Sequence, residues 1–309
     1  MKPEISLIIP VYNEQENIPV VFDRVCSVLV DESFEVIFID DGSTDHSLKV
    51  LQGLSKKSVF LKVISFSRNF GHQSALKAGL DYAQGNCVIS LDCDLEHPPH
   101  YLTEMLSLWR QGADVVITQR EQSLNLSFFK RVTSKGFYSA IRFLSDIPID
   151  PGTADFRLLD RRVVESCKSI TENELFWRGI IPWLGFKTKT IRYSQAKRQH
   201  GESKYTLTKM IKLSVVGITS FSVKPLHLSL YFGAALSVFS FIYLAYAIYV
   251  RLFTNLTLSG WASVIASILL IGGVQLVILG VFGIYLGKLF IQAKGRPQYI
   301  VRETLGKLD

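Results

Sequence analysis

The chain has 309 residues, room for one large domain or a domain with an appendage, and its formal charge of +7 is too modest to suggest a nucleic-acid partner. Apolar residues make up 48% and charged residues 20%, ordinary for a soluble enzyme on average, but nearly all the charge lies before residue 225 or so. Four scattered cysteines (Cys26, Cys87, Cys93, Cys167) lack CxxC spacing, which argues against a zinc site and against a disulfide framework.

In chain order, Ile5–Val11 is apolar but too short for a signal peptide, and it reads as a buried strand. Glu35–Ile39, Leu61–Phe66, Cys87–Leu91 and Val115–Thr118 are further strands. Between them Glu16–Leu29, Thr44–Leu54, His72–Ala83 and Pro99–Gln111 carry apolar residues at helical spacing. Such alternation predicts an α/β domain with a mostly parallel, Rossmann-like sheet covered on both faces, whose ligands bind beyond the carboxyl ends of the strands. Residues 120–200 are less regular and are expected to complete the sheet and build an acceptor side.

Polar clusters fall at those strand ends. The first strand runs into Pro10, Tyr12, Asn13 and Glu14, and the second into Asp40, Asp41 and Gly42. An aspartate there can accept hydrogen bonds from a base or a ribose, although Asp-Gly-Ser is also an everyday turn and helix cap. After the third strand, Arg68 and a helix start can face phosphate, or Arg68 can make a surface ion pair. The fourth strand delivers Asp92, Asp94 and Glu96, hard oxygen donors suited to Mg²⁺ or Mn²⁺ on a diphosphate.

Two amphipathic segments follow. Ser127–Ser145 sets Phe128, Phe129, Val132 and Phe143 beside Arg131, Lys135 and Arg142, as an interfacial helix would, or as a core helix with solvated charges. Lys204–Phe221 repeats the pattern and leads through Lys224 into Leu226–Val250, a stretch without an acidic or basic residue. A second such stretch is Leu252–Gly287. Each exceeds the roughly 20 residues that cross a bilayer core of about 30 Å, so a two-helix transmembrane hairpin is expected. Basic residues flank its two outer ends (Lys224; Lys288, Lys294, Arg296) and place both ends and the catalytic domain on the cytoplasmic side. The expected division is a catalytic domain over 1–203, a juxtamembrane segment over 204–225, the hairpin over 226–290 and a cytoplasmic tail over 291–309. Arg120, Arg131, Arg198 and Lys204 are the candidates for neutralising a phosphate held at the interface.

These residues resemble the family 2 glycosyltransferases of GT-A fold, in particular their polyprenyl-phosphate branch. The motifs Val11–Glu14, Asp40–Ser43, Arg68–Gly71, Asp92–Glu96, Asp155–Leu159, Gly201–Tyr205 and Gly283–Gly287 match in order and spacing over essentially the whole chain. The resemblance implies that Pro10, Tyr12, Asn13, Glu14, Asp40, Asp41, Arg68, Asn69, Gly71, Asp92 and Cys93 bind a nucleotide-sugar. It also implies a metal on Asp92 and Asp94, with Glu96 standing where the family has Gln. Asp94 and Asp155 become the catalytic candidates, with Asp155 alternatively an ion-pair partner for Arg157 or another arginine. The implied reaction is inverting transfer from a nucleotide-sugar, by preference a UDP-sugar, to a polyprenyl phosphate such as undecaprenyl phosphate at a bacterial inner membrane. A GDP-mannose-using enzyme and a non-catalytic nucleotide-sugar-binding membrane protein are the alternatives. Two helices without an intramembrane charge offer no route for a phosphosugar, so a separate flippase is expected, and packing against copies of the same chain is a further expectation.

Overall fold

The computed structural model describes residues 3–94, 96–120, 153–193, 219–253 and 260–306. Arg131, Arg198, Lys204 and the Ser127–Ser145 segment lie outside the described residues, as do the side chain of Arg120 and most of Lys204–Phe221.

The first half alternates as the apolar periods predict: β1 (Ile5–Val11), α1 (Asn17–Val28), β2 (Phe34–Asp40), α2 (Ser47–Ser55), β3 (Leu61–Phe66), α3 (His72–Tyr82), β4 (Cys87–Ser90), α4 (Tyr101–Arg110) and β5 (Val115–Arg120). Then come β6 (Thr153–Asp160), α5 (Arg161–Lys168), α6 (Trp177–Trp183), β7 (Thr188–Tyr193), the long helices α7 (Lys224–Phe253) and α8 (Trp261–Ala293), and β8 (Val301–Leu305). One eight-stranded sheet runs in the order β7-β5-β6-β4-β1-β2-β3-β8. β4, β1, β2 and β3 are parallel neighbours, whereas β6 and β8 run antiparallel to the strands beside them.

Strand side chains alternate between two faces, so the sheet has two cores. Ile5, Leu7 and Ile9 of β1 join Phe38 and Val63 beneath α1, α2 and α4, where Val21, Leu51 and Met105 are buried. Ile8, Ile37, Ile64 and Val88 face the other way, against Ala75 and Leu76 of α3, Val163 of α5 and Trp177 of α6. This double cover explains why the strands read as continuous apolar runs rather than alternating ones.

Two features depart from the sequence reading. The tail, set apart over 291–309, instead supplies β8, which pairs with β3 from Val63↔Leu305 to Phe66↔Val301 and covers that sheet edge. The long helices also overrun their uncharged stretches: α7 opens on Lys224, and α8 continues past Lys288 to Ala293. At a rise of 1.5 Å per residue they are about 45 and 50 Å long, enough to cross a bilayer core of about 30 Å with turns to spare. Their large side chains, among them Leu230, Phe239, Leu276 and Phe282, are exposed, as lipid-facing residues would be.

Candidate active site

At the carboxyl end of β1 and β2, two turns are stitched together. Asn13 sits in the left-handed region at φ 56°, which asparagine tolerates better than other chiral residues. Its Oδ1 accepts from the Thr44 amide at 2.8 Å, and its own amide donates to Ser43 Oγ at 3.1 Å. The Glu14 amide donates to Ser47 Oγ at 2.9 Å. Asp40 is buried and accepts from the Ser43 amide (3.0 Å) and Ser65 Oγ (2.8 Å), so it holds the turn. Gly42, at φ +66°, passes so near Arg68 that a Cβ would stand 2.5 Å from its carbonyl carbon.

Asp41 reaches across to the third turn and accepts from the amides of Phe70 (2.6 Å) and Gly71 (3.0 Å). Burial pushes its carboxyl above the usual carboxylate range, with the two amides pulling the other way. Arg68 folds its guanidinium over the Phe70 ring, 4.0 Å from the centroid, and donates to the Asn69 carbonyl.

Beyond β4, Asp92 meets an imidazole at each oxygen: His72 Nε2 lies 3.5 Å from one and His97 Nε2 3.3 Å from the other. The Tyr193 hydroxyl lies 2.8 Å from His97 Nδ1, so a line of side chains runs from β7 through His97 to Asp92. Asp155 is supplied by β6, which pairs antiparallel with β4. It accepts from Arg178 at 2.9 Å and from Arg157, and His72 Nε2 is 3.7 Å away. Burial works against its charge, but Arg178 and Arg157 outweigh it and hold the carboxyl well below the usual range. Burial likewise works against a charged His72, yet the hydrogen bond to Asp155 and the charge of Asp92 lift it to about 8. Asp92 is itself lowered: burial opposes, and the two histidines prevail. The cluster thus holds two ionised carboxylates among two arginines and two histidines.

Asp92, Asp155, His72, His97, Arg178 and Tyr193 line one cleft of about 750 Å³, with Arg157 buried behind them. Pro10, Tyr12, Glu14, Asp41, Asn69, Gly71, Asp92, Cys93, Asp94, Glu96 and Asp155, all named from the sequence, face it. Asn13, Asp40 and Arg68 are not in its lining and instead shape the turns that are. Burial raises the Cys93 thiol well above its usual range. Sequence reasoning did not single out His72, His97, Phe176, Arg178 or Tyr193, which complete the walls. His72 and His97 each directly follow a motif, Arg68–Gly71 and Asp92–Glu96, so the sequence placed them beside the site. Tyr193 and Arg178 come from a region with no motif to mark them.

Among the described residues, no three His, Cys, Asp or Glu side chains are arranged to hold a metal alone. The donor set fits a different arrangement, a divalent ion shared between one or two carboxylates and substrate phosphates. Asp92, Asp94 and Glu96 share one wall of the cleft, where Asp94 also accepts from the Glu96 amide at 3.1 Å.

Polar turns at the ends of β1, β2 and β3, a carboxylate-lined cleft beyond them and two long apolar helices thus belong to one α/β protein. Residues 6–167, over half of the chain, match the model of glycosyl transferase family 2, and the protein belongs to that family. A Bacillus subtilis (strain 168) glycosyltransferase, YkcC, is 43% identical over 97% of this chain and 94% of its own length. The SfII prophage-derived bactoprenol glucosyl transferase of Shigella flexneri is 38% identical over 97% of this chain and 98% of its own. The solved glucosyl-3-phosphoglycerate synthase of Mycobacterium tuberculosis, 20% identical, superposes with a TM-score of 0.50 over 70% of this chain and 78% of its own, a likeness of fold.

Proposed function

We propose that the protein transfers a sugar, with inversion, from a UDP-sugar to a polyprenyl phosphate such as undecaprenyl phosphate, at the cytoplasmic face of a bacterial inner membrane. One contact carries the acceptor assignment. Phe176, in the cleft wall, packs against Phe221 at 6.1 Å between ring centroids, and Phe221 lies three residues before α7. A cleft whose wall rests on the root of a membrane helix suits an acceptor whose phosphate sits at the bilayer surface. The near full-length likeness to bactoprenol glucosyl transferases supports the same reading.

In this reading the nucleoside rests among Tyr12, Glu14 and Asp41, with the diphosphate toward Asp94 and Glu96. A Mg²⁺ or Mn²⁺ ion held there would offset the charge growing on the departing diphosphate. The acceptor is mostly dianionic at neutral pH, because a phosphate monoester loses its second proton near pH 6. Its oxygen attacks the anomeric carbon without a strong base while the bond to UDP breaks and the electron pair leaves with the diphosphate. Arg178 and His72 supply positive charge beside Asp92 and Asp155 at the cleft, and Asp155 keeps Arg178 oriented. Arg120, Arg131, Arg198 and Lys204 remain the proposed cations for the acceptor phosphate. A separate flippase would carry the product across.

The test is transfer of radiolabelled sugar from a panel of UDP- and GDP-sugars to undecaprenyl phosphate by purified full-length protein. One UDP-sugar should give lipid-soluble label that is lost with chelator and reduced at least about a hundredfold in Asp94→Ala. Label from GDP-mannose instead would move the donor assignment. UDP binding with no transfer from any donor would favour a non-catalytic sensor.

A further inference from the structure

The segment between α5 and α6 is gripped from both ends of the apolar hairpin. Near the end of α8, Lys288 Nζ pairs with Glu174 at 3.0 Å and donates to Ser220 Oγ at 2.9 Å. One turn on, the Gln292 side chain accepts from the Asn173 amide at 2.9 Å and donates to the Thr171 carbonyl at 3.0 Å. Gln298 donates to the carbonyls of Ile170 (3.4 Å) and Glu172 (2.5 Å). From the other helix root, Phe221 presses on Gly179 so closely that a Cβ there would stand 2.5 Å from its ring. Tyr285 of α8 donates to the Ser222 carbonyl at 2.7 Å and ties the two roots together.

That gripped segment and the first turn of α6 deliver two cleft residues. Phe176 forms part of the wall, and Arg178 is one of two arginines that pair with Asp155. The Asn173 amide and the Thr171 carbonyl are held by the Gln292 side chain, so a shift of α8 would carry the segment with it. The distance from Glu174 to Arg178 is four residues.

We propose that Lys288 and Gln292 are positioning residues for sugar transfer: they fix Phe176 and Arg178 in the cleft by holding residues 171–174 to the end of the second apolar helix. The acceptor half of the site is then assembled only when the hairpin is seated, whereas the nucleotide half is built within the soluble domain. This rests on the polyprenyl-phosphate transfer reading for its kinetic arm alone.

The experiment uses the full chain in lipid nanodiscs, comparing wild type with Lys288→Met, Gln292→Leu, their combination, and Lys288→Arg. Hydrogen exchange is followed over 171–181, with the β2 peptide as the internal reference, alongside UDP affinity and steady-state transfer. The combined variant should exchange at least about tenfold faster over 174–179 with β2 unchanged, and UDP affinity should stay within about twofold. Its kcat should fall about ten- to a hundredfold, a loss expected from misplacing reacting groups by about 1 Å, and Lys288→Arg should restore most of it. Unchanged exchange over 174–179 overturns the proposal, and so does a loss of kcat matched by an equal loss of UDP affinity. Should the wild type transfer no sugar to polyprenyl phosphate, the function reading falls alone, because the exchange arm decides this inference without turnover.

Discussion

Asp155 shows how one side chain can have two sequence readings and need the tertiary structure to rank them. Its place in an Asp-Phe-Arg motif leaves a catalytic carboxylate and an ion-pair partner both open. In the fold it is buried between Arg157, equally buried, and Arg178 at the cleft. Removing its charge strands Arg157 in the core, so Asp155→Asn should cost about 3–5 kcal/mol in urea or thermal unfolding. The pH dependence has a definite sign. Because the folded carboxyl is depressed, its contribution is complete above the ordinary carboxylate range and is lost as the pH falls toward the folded value. Asp155→Asn should therefore flatten the acid limb of a stability–pH profile, and should also lessen the fall in stability as the pH rises toward about 8, because the hydrogen bond to Asp155 helps lift His72 to that value. The partnership with Arg178 was not legible, because 23 residues and a change of element separate the two.

Among the elements, α3 and the terminal β8 illustrate opposite degrees of legibility. The apolar spacing of His72–Ala83 marks α3 to within a residue, since a helix's buried stripe is written in consecutive residues. What the stripe does not say is how near the helix lies to its strand. A Cβ on Gly79 would stand 2.8 Å from the Ile8 Cβ, so Gly79→Val should destabilise by about 1–3 kcal/mol, read by chemical denaturation. β8 went unread because five residues after a long apolar run carry too little period to announce a strand. Tyr299 anchors its approach, stacked on Phe66 at 5.2 Å and donating to Asp81 at 2.8 Å. Tyr299→Ala should lose about 2 kcal/mol, less than a fully buried aromatic because the ring is only partly buried. Tyr299→Phe should lose about 1 kcal/mol, the worth of the hydrogen bond, and the difference between the variants isolates the stacking.

At the level of the whole molecule, the two roots of the apolar hairpin pack on the same part of the catalytic domain. The basic flanks predict that both ends share a side of the membrane, and the contacts of Phe221 and Gln292 with the α5–α6 segment and α6 supply a physical reason for it. In a Cys26→Ala background, whose remaining thiols are buried, an impermeant thiol reagent on intact cells should label Asn255→Cys and spare Ile300→Cys. Inverted vesicles should give the reverse, and labelling of both positions from one side would refute a spanning hairpin. Assembly as an oligomer stays a proposal for the exposed apolar faces of α7 and α8.

The sequence by itself determined what depends on neighbours along the chain. Those are the strand and helix periods, the polar turns after β1, β2, β3 and β4, and two apolar runs long enough for a bilayer. Tertiary structure alone decided which distant residues meet: Asp155 with Arg178 and His72, Tyr193 with His97 and Asp92, Gln292 with Asn173, and β8 with β3. The reason is physical. A local period is repeated every two or 3.6 residues and can be read from any short window, whereas a contact across 96 or 119 residues exists only once the sheet order and helix packing have set the geometry.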